Sequence, residues 1–313
     1  MADSRPPVLC LMGPTASGKT EQAVRLVNEF PVDIISVDSA LVYRGMDIGT
    51  AKPDAQTLAS APHALIDILE PEEAYSAGAF VRDALAEVER VHSAGRTPLL
   101  VGGTMLYFRA LIRGIADLPE ADPGVRDALD AEGRSRGWPA LHAELSRVDP
   151  ESAGRIAEND RQRIQRALEV YRTTGRPLSD WQRDEARPGA DYDFLKIALM
   201  DSSRARLHAR INRRFVEMLE AGFIDEVETL RRRPGLGPDF PSMRSVGYRQ
   251  IWAYCDGRDD LETATAKAQA ATRQLAKRQI TWLRSEASLT VLDPLDKATS
   301  KSISEAVGRK LNK

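Results

Sequence analysis

The 313-residue sequence contains few residues of the kinds that build disulfide frameworks or metal clusters. It has two cysteines, Cys10 and Cys255, far apart in the chain, and four histidines that are scattered along it. Neither set has the spacing of a zinc site, and two distant cysteines make no disulfide framework. These absences exclude a small disulfide-rich fold and predict a reduced, cytoplasmic setting.

Long apolar runs are also absent. No run approaches the ~20 residues that a membrane-spanning helix needs. Residues 1–7 lack the apolar stretch of a signal peptide, and the chain shows no internal repeat or low-complexity tract. No apolar run ends in the paired Asp-Glu that nucleotide-hydrolysing motors carry. We therefore expect a cytoplasmic globular protein with room for one large domain or two.

The overall charge is close to neutral, with 44 basic and 46 acidic side chains. This balance argues against wholesale nucleic-acid binding, but the cations are unevenly distributed. Residues 202–216 carry five arginines and no acid, and residues 271–284 carry four cations and no acid. Such runs are typical of a surface for a polyanion, and equally of solvated helix faces.

A phosphate-binding loop is the most informative feature that the sequence does contain. Gly13–Thr20 reads Gly-Pro-Thr-Ala-Ser-Gly-Lys-Thr and directly follows the apolar run Val8–Met12. A strand, a glycine-rich turn and a helix in this order aim backbone N–H groups at one anion. We expect Lys19 to add a point charge and the Thr20 hydroxyl to ligate Mg²⁺.

Apolar segments alternate with helical patterns through the first third of the chain. Val8–Met12, Val32–Val37, 64–68 and 98–101 read as strands without polar alternation. They predict an α/β fold, a P-loop NTPase-like parallel sheet flanked by helices, with a mostly helical insertion. We place the catalytic core at residues 1–117 and 196–313 and the insertion at 118–195.

Polar residues follow two of these strands at the edge where ligands bind in such sheets. Asp38 comes after the second strand, and Thr104 follows Gly102 and Gly103 after the fourth. Asp38 can ligate Mg²⁺ or accept a proton, or it can be a turn residue. Thr104 can contact a ligand or cap the helix that begins near Met105.

Three functions remain compatible with these residues alone. The first is a transferase that acts on a nucleic acid with diphosphate as the leaving group. The second is a small-molecule kinase that uses ATP at the loop, and the third is a nucleotide-switched nucleic-acid binder without catalysis. The basic helices favour the first and third functions, and Asp38 and Thr104 beside the loop favour the first and second.

Six blocks of this sequence resemble the bacterial tRNA dimethylallyltransferase family, and they run in order along nearly the whole chain. The blocks are Gly13–Thr20, Ser36–Pro53, Leu100–Phe108, Asp160–Tyr171, Pro241–Arg249 and Ala271–Arg284. The resemblance implies transfer of a dimethylallyl group from dimethylallyl diphosphate to the N6 amine of the adenosine 3′ to the anticodon of tRNA. It also implies a monomer that needs Mg²⁺.

The resemblance further implies roles for individual residues. Asp38, Thr104, Lys19 and Arg214 are the catalytic candidates, with Asp38 as general base. The diphosphate is held by Gly13, Pro14, Thr15, Ala16, Ser17, Gly18, Lys19 and Thr20, with Mg²⁺ at Thr20. The insertion grips the anticodon stem-loop. The residues expected to contact tRNA are Asp38, Ser39, Ala40, Leu41, Thr104, Arg126, Gln162, Arg163, Ile164, Gln165, Arg166, Arg244, Ser245, Val246, Gly247, Tyr248, Arg249, Lys277, Arg278, Gln279, Ile280, Thr281, Trp282, Leu283 and Arg284.

Overall fold

The computed structural model describes residues 5–116, 118–184 and 189–312 of the chain. The chain divides into two compact units, one of residues 1–109 and 191–313 and the other of residues 110–190. The first boundary placed by the sequence, at residue 117, lies outside the described residues. The second, at residue 195, falls inside a strand that begins at Asp193 and pairs with Pro7. Backbone pairing extends this strand into polar residues that its apolar pattern does not include.

Within the described residues, the first unit contains one six-stranded sheet in the order β3-β2-β4-β1-β5-β6, and every pairing is parallel. The strands are β1 (Pro7–Met12), β2 (Val32–Val37), β3 (His63–Ala64), β4 (Thr97–Gly102), β5 (Asp193–Leu199) and β6 (Leu289–Leu292). The register places Gly102 opposite both Met12 and Val37. The phosphate loop, Asp38 and Gly103 therefore begin at the same level on one edge of the sheet, as the sequence predicts.

Helices α1 (Lys19–Glu29), α3 (Ala77–Ser93) and α14 (Thr299–Leu311) pack against this sheet. The other helices of the first unit are α2 (Ala55–Ser60), α4 (Met105–Arg113), α10 (Arg204–Glu220), α11 (Phe223–Arg231), α12 (Tyr248–Cys255) and α13 (Leu261–Arg284), and α10 to α13 pack on one another. The boundary after residue 109 falls within α4. Helices α1 and α14 cover one sheet face, where Leu9, Leu11 and Leu99 alternate toward a core that includes Leu26 and Ile303. The predicted P-loop NTPase-like fold is confirmed.

Two parts of the sheet differ from the sequence prediction. The strand expected over residues 64–68 is only the two-residue β3, because Leu65 and Asp67 turn the chain at φ 62° and 53°. Strand β6 has no counterpart in the prediction. Its burial does not alternate, since Thr290 and Val291 in its middle are both exposed, so no period-2 pattern marks it.

The second unit is helical, with helices α5 (Pro123–Arg136), α6 (Trp138–Val148), α7 (Pro150–Arg155), α8 (Arg161–Thr174) and α9 (Leu178–Asp184). Its core is formed by apolar side chains of α5, α6 and α8, among them Leu129, Leu141 and Ile164. Helix α8 has the predicted signals, since the Asp160 side chain accepts from the Arg163 amide and Gly175 ends it at φ 71°. None of the helices described in either unit is long and apolar enough to cross a membrane.

Candidate active site

The phosphate loop has the strained backbone that its function requires. Gly18 adopts φ 82° directly before α1, a conformation that residues with a Cβ rarely occupy. Ala16 adopts φ 61° without being glycine, which costs on the order of 1–3 kcal/mol and needs support from neighbours. Arg210 of α10 supplies that support by donating a hydrogen bond to the Ala16 carbonyl. The sequence analysis missed this role of Arg210.

Lys19 folds back over the loop that precedes it. Its Nζ donates to the carbonyl oxygens of Gly13 at 3.0 Å and Pro14 at 2.8 Å, and lies 3.4 Å from the Ser17 hydroxyl. Burial lowers the pKa of Lys19 to about 8, with attraction from Asp38 opposing the shift and repulsion from Arg214 adding to it. The ammonium is therefore short of solvation and of anionic partners, which makes it ready to receive a phosphate.

Helix α10 brings a second cation to the loop. Its apolar stripe of Leu207, Ile211 and Phe215 is buried, and this directs Arg210 and Arg214, four residues apart, to a common face. The Arg214 guanidinium lies 3.5 Å from the Thr15 hydroxyl. Burial lowers the pKa of Arg214, and attraction from Asp38 opposes that shift. Lys19, Arg214 and Asp38 thus act electrostatically on one another, as their predicted catalytic roles require.

Asp38 and Thr104 lie at the ends of neighbouring strands and are linked through Ser39. One carboxylate oxygen of Asp38, Oδ1, accepts from the amides of Ala40 at 2.8 Å and Leu41 at 3.3 Å, so the turn role considered for Asp38 is present. The Thr104 hydroxyl accepts from the Ser39 amide at 3.0 Å. It therefore supports the Asp38 turn.

The segment after Asp38 is anchored by residues that the sequence analysis did not identify. The Glu226 carboxylate accepts from the amides of Asp47, Ile48 and Gly49 and from the Tyr248 hydroxyl. In the same segment the buried ammonium of Lys52 pairs with the carboxylates of Asp47 and Asp67. The Glu226 carboxylate is 177 to 179 residues away in sequence from the amides that it accepts from, so no local pattern reveals these contacts.

A cavity of about 600 Å³ lies between this anchored segment and α10. Apolar side chains, among them Ile48, Leu58 and Met218, form part of its wall, and Arg214 also lines it. Acidic side chains, among them Asp54 and Glu217, line other parts of it. Arg214 links the cavity to the phosphate loop, because its guanidinium also lies beside the Thr15 hydroxyl.

The basic helix α13 presents its cations to solvent. Lys277, Arg278 and Arg284 are exposed, together with Thr281. Trp282 is 37% exposed, and the Arg109 guanidinium lies 5.4 Å from its ring centroid. An exposed aromatic ring among cations is the combination that single-stranded nucleic acids bind.

Several residues that the resemblance assigns to the tRNA are instead used inside the protein. Tyr248 is fully buried and donates to Glu226, and burial together with that carboxylate raises its pKa. Ile164 and Leu283 are core residues, and Ile280 packs against a buried cluster. Their neighbours Gln162, Arg163, Arg244 and Arg249 remain exposed. Successive residues of a helix point to different sides, so the side chains of a continuous helical range cannot all face one ligand.

The two other basic candidates of the insertion, Arg126 and Arg166, share one carboxylate. Both donate to Glu169, whose side chain is 1% exposed, and Arg126 makes a two-point contact with it. The Gln165 amide donates to the Arg126 carbonyl. These side chains therefore organise the insertion, and their remaining exposed surface is what they can offer to a ligand.

The side chains at the phosphate loop suit a metal ion that binds together with a phosphate-containing substrate. Among the described residues, no group of three or more His, Cys, Asp or Glu side chains could hold a metal ion. Thr20 is exposed in the first turn of α1, one residue after Lys19. A hydroxyl at this place fits Mg²⁺, which proteins often bind through one or two side chains plus substrate phosphates.

Comparison with known proteins gives one family. The family model described as IPP transferase matches residues 41–286. A protein of Thiobacillus denitrificans named tRNA dimethylallyltransferase is 60% identical over 93% of this chain and 92% of its own length. One of the same name from Alkalilimnicola ehrlichii is 58% identical over 98% of this chain and 96% of its own length.

Solved structures agree over the full chain. A tRNA isopentenylpyrophosphate transferase of Bacillus halodurans is 36% identical, with a TM-score of 0.70 and 99% of both chains covered. A eukaryotic dimethylallyltransferase acting on tRNA is 25% identical, with a TM-score of 0.79 over 96% of this chain and 77% of its own. With the family model covering most of its length and relatives of this identity, the chain belongs to the IPP transferase family.

Proposed function

We propose that this protein transfers a dimethylallyl group from dimethylallyl diphosphate to tRNA, and that the acceptor is the N6 amine of the adenosine 3′ to the anticodon. The names of its relatives support the reaction. The observation that carries the proposal is the juxtaposition at the sheet edge. The phosphate loop and Asp38 follow neighbouring parts of the sheet at the same strand level. The Asp38 carboxylate also attracts the Lys19 ammonium of the loop.

Asp38 is proposed as the general base. The lone pair of an adenine amine is delocalised into the ring, so its attack is helped by removal of its proton. As the bond from N6 to the allylic carbon forms, the carbon–oxygen bond to diphosphate breaks and the proton passes to Asp38. The Oδ1 contacts with Ala40 and Leu41 fix the carboxylate, and Oδ2 is the atom proposed to take the proton.

The leaving diphosphate is stabilised by the loop. Negative charge grows on its oxygens as the bond breaks, and preorganised cations lower the energy of that charge. Lys19 and Arg214 are these cations, and both are largely removed from solvent. The first-turn amides of α1 add the positive end of the helix dipole. Mg²⁺, held by Thr20 and diphosphate oxygens, would neutralise further charge on the leaving group.

The donor's hydrocarbon group is assigned to the apolar wall beside Arg214. Ile48, Leu58 and Met218 line the adjoining cavity, and burying a methylene group contributes roughly 0.8 kcal/mol. The proposal therefore uses the cations for the diphosphate and the apolar side chains for the isoprenoid.

The tRNA is assigned to the exposed face of α13 and to the insertion. Lys277, Arg278 and Arg284 suit backbone phosphates, and Trp282 suits an unstacked loop base. Anticodon-loop bases are already unpaired, so flipping one into the site costs little.

We further infer that the protein acts as a monomer in the cytoplasm.

Incubation with labelled dimethylallyl diphosphate, Mg²⁺ and unmodified tRNA tests the proposal. We expect the label on N6 of a single adenosine after digestion to nucleosides, together with one equivalent of diphosphate. An anticodon stem-loop with guanosine at that position serves as the control and should remain unlabelled.

The kinase alternative gives a different result in the same assay. If the tRNA stays unlabelled while the γ-phosphate of ATP is transferred to a small molecule, the proposed function is wrong. Transfer of label to the guanosine control would contradict the assigned acceptor but not the donor.

A further inference from the structure

Gln279 occupies an unusual place among the residues of α13. It lies between the exposed residues Arg278 and Thr281 in sequence, yet its side chain amide is bonded inside the protein. Its Oε1 accepts from the Thr15 amide at 2.9 Å, and its Nε2 donates to the Gly103 carbonyl at 2.8 Å. One side chain thus joins the phosphate loop to the end of β4.

These two backbone groups lose their sheet partners at this point. Strands β1 and β4 pair as far as Met12 and Gly102 and then diverge into turns. A partly buried N–H and C=O without partners would cost free energy comparable to lost hydrogen bonds. The Gln279 amide has the donor and acceptor of a peptide unit, and it bridges the two chains beyond the last paired residues, at Thr15 and Gly103.

The packing leaves no alternative at Gly103. A Cβ built there would lie 2.6 Å from Gln279 Nε2 and 3.1 Å from the Gly13 carbonyl oxygen. A larger residue at position 103 would therefore displace the Gln279 amide and press on the phosphate loop, although the backbone angle of Gly103 is ordinary. The two real contacts of the amide are its hydrogen bonds with Thr15 and Gly103.

The contact continues to the acceptor side of the site. Thr104 follows Gly103, and its hydroxyl accepts from Ser39, the neighbour of Asp38. A series of hydrogen bonds therefore runs from Thr15 in the diphosphate cradle, through Gln279 and Gly103, to the proposed base. An error of about 1 Å between reacting groups can cost 10²-fold in rate.

We propose that Gln279 is a positioning residue, which sets the distance between the diphosphate cradle and the Asp38–Thr104 pair. The inference rests on the proposed function and goes beyond it, because it gives the amide no contact with the tRNA. Glutamine suits the task because its amide both donates and accepts, which a glutamate carboxylate or a methionine thioether cannot do.

The test compares Gln279→Met with Gln274→Met. Methionine keeps the length and removes both hydrogen bonds, and Gln274 is an exposed glutamine on the same helix. We expect Gln279→Met to lower kcat at saturating donor and tRNA by about 10- to 100-fold, with the Kd for an anticodon stem-loop unchanged within about twofold. Gln274→Met should change neither quantity.

If Gln279 instead binds tRNA, its substitution should change the Kd for the stem-loop and leave kcat unchanged. A raised Kd for the stem-loop with normal kcat in Gln279→Met would overturn the inference and return Gln279 to the tRNA-facing surface. If the parent protein transfers no label, the proposed function fails first. If the parent is active and Gln279→Met retains full kcat, only the positioning role fails.

A double-mutant cycle with Gly103 tests the contact itself. Gly103→Ala should lower kcat by about tenfold because its methyl group displaces the amide. In the Gln279→Ala background that amide is gone, so adding Gly103→Ala should cost less than about twofold more. Fully additive losses would show that Gly103 acts without Gln279 and would overturn the inference.

Discussion

The cations at the phosphate loop contact neutral oxygen atoms, whereas cations of the helical insertion pair with carboxylates. Lys19 donates to carbonyl oxygens, and Arg214 lies beside a threonine hydroxyl. In the insertion, Arg126 and Arg166 pair with the buried Glu169, and Arg172 pairs with Glu132 and Glu144. Charges held by neutral oxygens remain available to an incoming anion, whereas charges already paired with carboxylates hold helices together.

This comparison separates two roles of a basic residue, which are to bind an anionic ligand and to pair with carboxylates within the protein. The sequence presents Arg126 and Arg214 as equivalent candidates for an anionic substrate. Burial depresses the pKa of Arg214, while the hydrogen bonds that Arg172 donates to Glu132 and Glu144 raise the pKa of Arg172. The first situation is costly in the free protein and is relieved when an anion binds, which is a property of ligand sites.

The largest expected effect is on the chemistry beside the loop. Asp38→Asn keeps an oxygen for the Ala40 and Leu41 amides but removes the base, so kcat should fall by about 10³-fold. Single-turnover transfer and stem-loop binding measure the two consequences, and the Kd for RNA should stay near that of the parent. A variant that turned over at the parental rate would remove Asp38 from its assigned role.

Removal of the loop ammonium should come next. Lys19→Met is expected to weaken binding of inorganic diphosphate by about 10²-fold, because a desolvated charge–anion contact is lost. Isothermal calorimetry gives the affinity. Arg172→Met in the insertion is the matched control, since its cation is already neutralised by two carboxylates, and its diphosphate affinity should equal that of the parent.

The insertion should respond in stability. Glu169→Gln leaves two arginines without a buried anion, and we expect it to destabilise the unit by about 2 kcal/mol. Glu151→Gln alters an exposed pair with Arg183 and should cost no more than about 0.5 kcal/mol. Urea denaturation followed by tryptophan fluorescence compares them. Equal midpoints would mean that burial of Glu169 contributes nothing.

A smaller effect is expected on α13. Lys277→Ala with Arg284→Ala should weaken stem-loop binding by about tenfold and reduce the slope of log K against log salt by about 1.5, since two phosphate contacts are lost. Lys297→Ala with Lys301→Ala removes two exposed lysines elsewhere and is the control. Identical slopes for both pairs would show that the α13 cations are ordinary solvated charges.

The smallest effect is a pH dependence of diphosphate binding. The pKa of Lys19 is lowered to about 8 in the free protein, and a bound anion raises it, so the protonated form binds more tightly. Affinity should be close to its maximum below about pH 7, reach about half of it at pH 8, and fall about fivefold more between pH 8 and pH 9, with proton uptake on binding. Calorimetry in buffers of different ionisation enthalpy measures that uptake. Lys19→Met should lack it, and an unchanged uptake would assign the proton to another group.

Local patterns predicted much of the fold because local interactions determine those elements. Strand β2 covers the predicted range Val32–Val37, and β1 and β4 cover the predicted apolar runs at 8–12 and 98–101. The prediction was wrong where the chain turns by left-handed residues, at Leu65 and Asp67. Leucine gives no turn signal, and the single aspartate lies within an apolar run that favours a strand.

Site residues divide along the same line. The phosphate loop, Asp38 and Thr104 could be found because motif and strand end are adjacent in sequence. The supporting roles of Arg210, Glu226 and Gln279 could not be found, because each acts on backbone groups more than a hundred residues away. The resemblance assigns Tyr248 to the tRNA-facing surface, whereas the fold buries its side chain against Glu226.

By itself the sequence determined that a strand delivers a phosphate loop to a helix, that a carboxylate follows the neighbouring strand, and that cations line α13. Only the tertiary structure decided which cations stay available and which are neutralised, and that an amide from α13 lies between two strand ends. The physical reason is that charge, spacing and periodicity are properties of the chain, while desolvation and hydrogen-bond partners depend on what folding brings together.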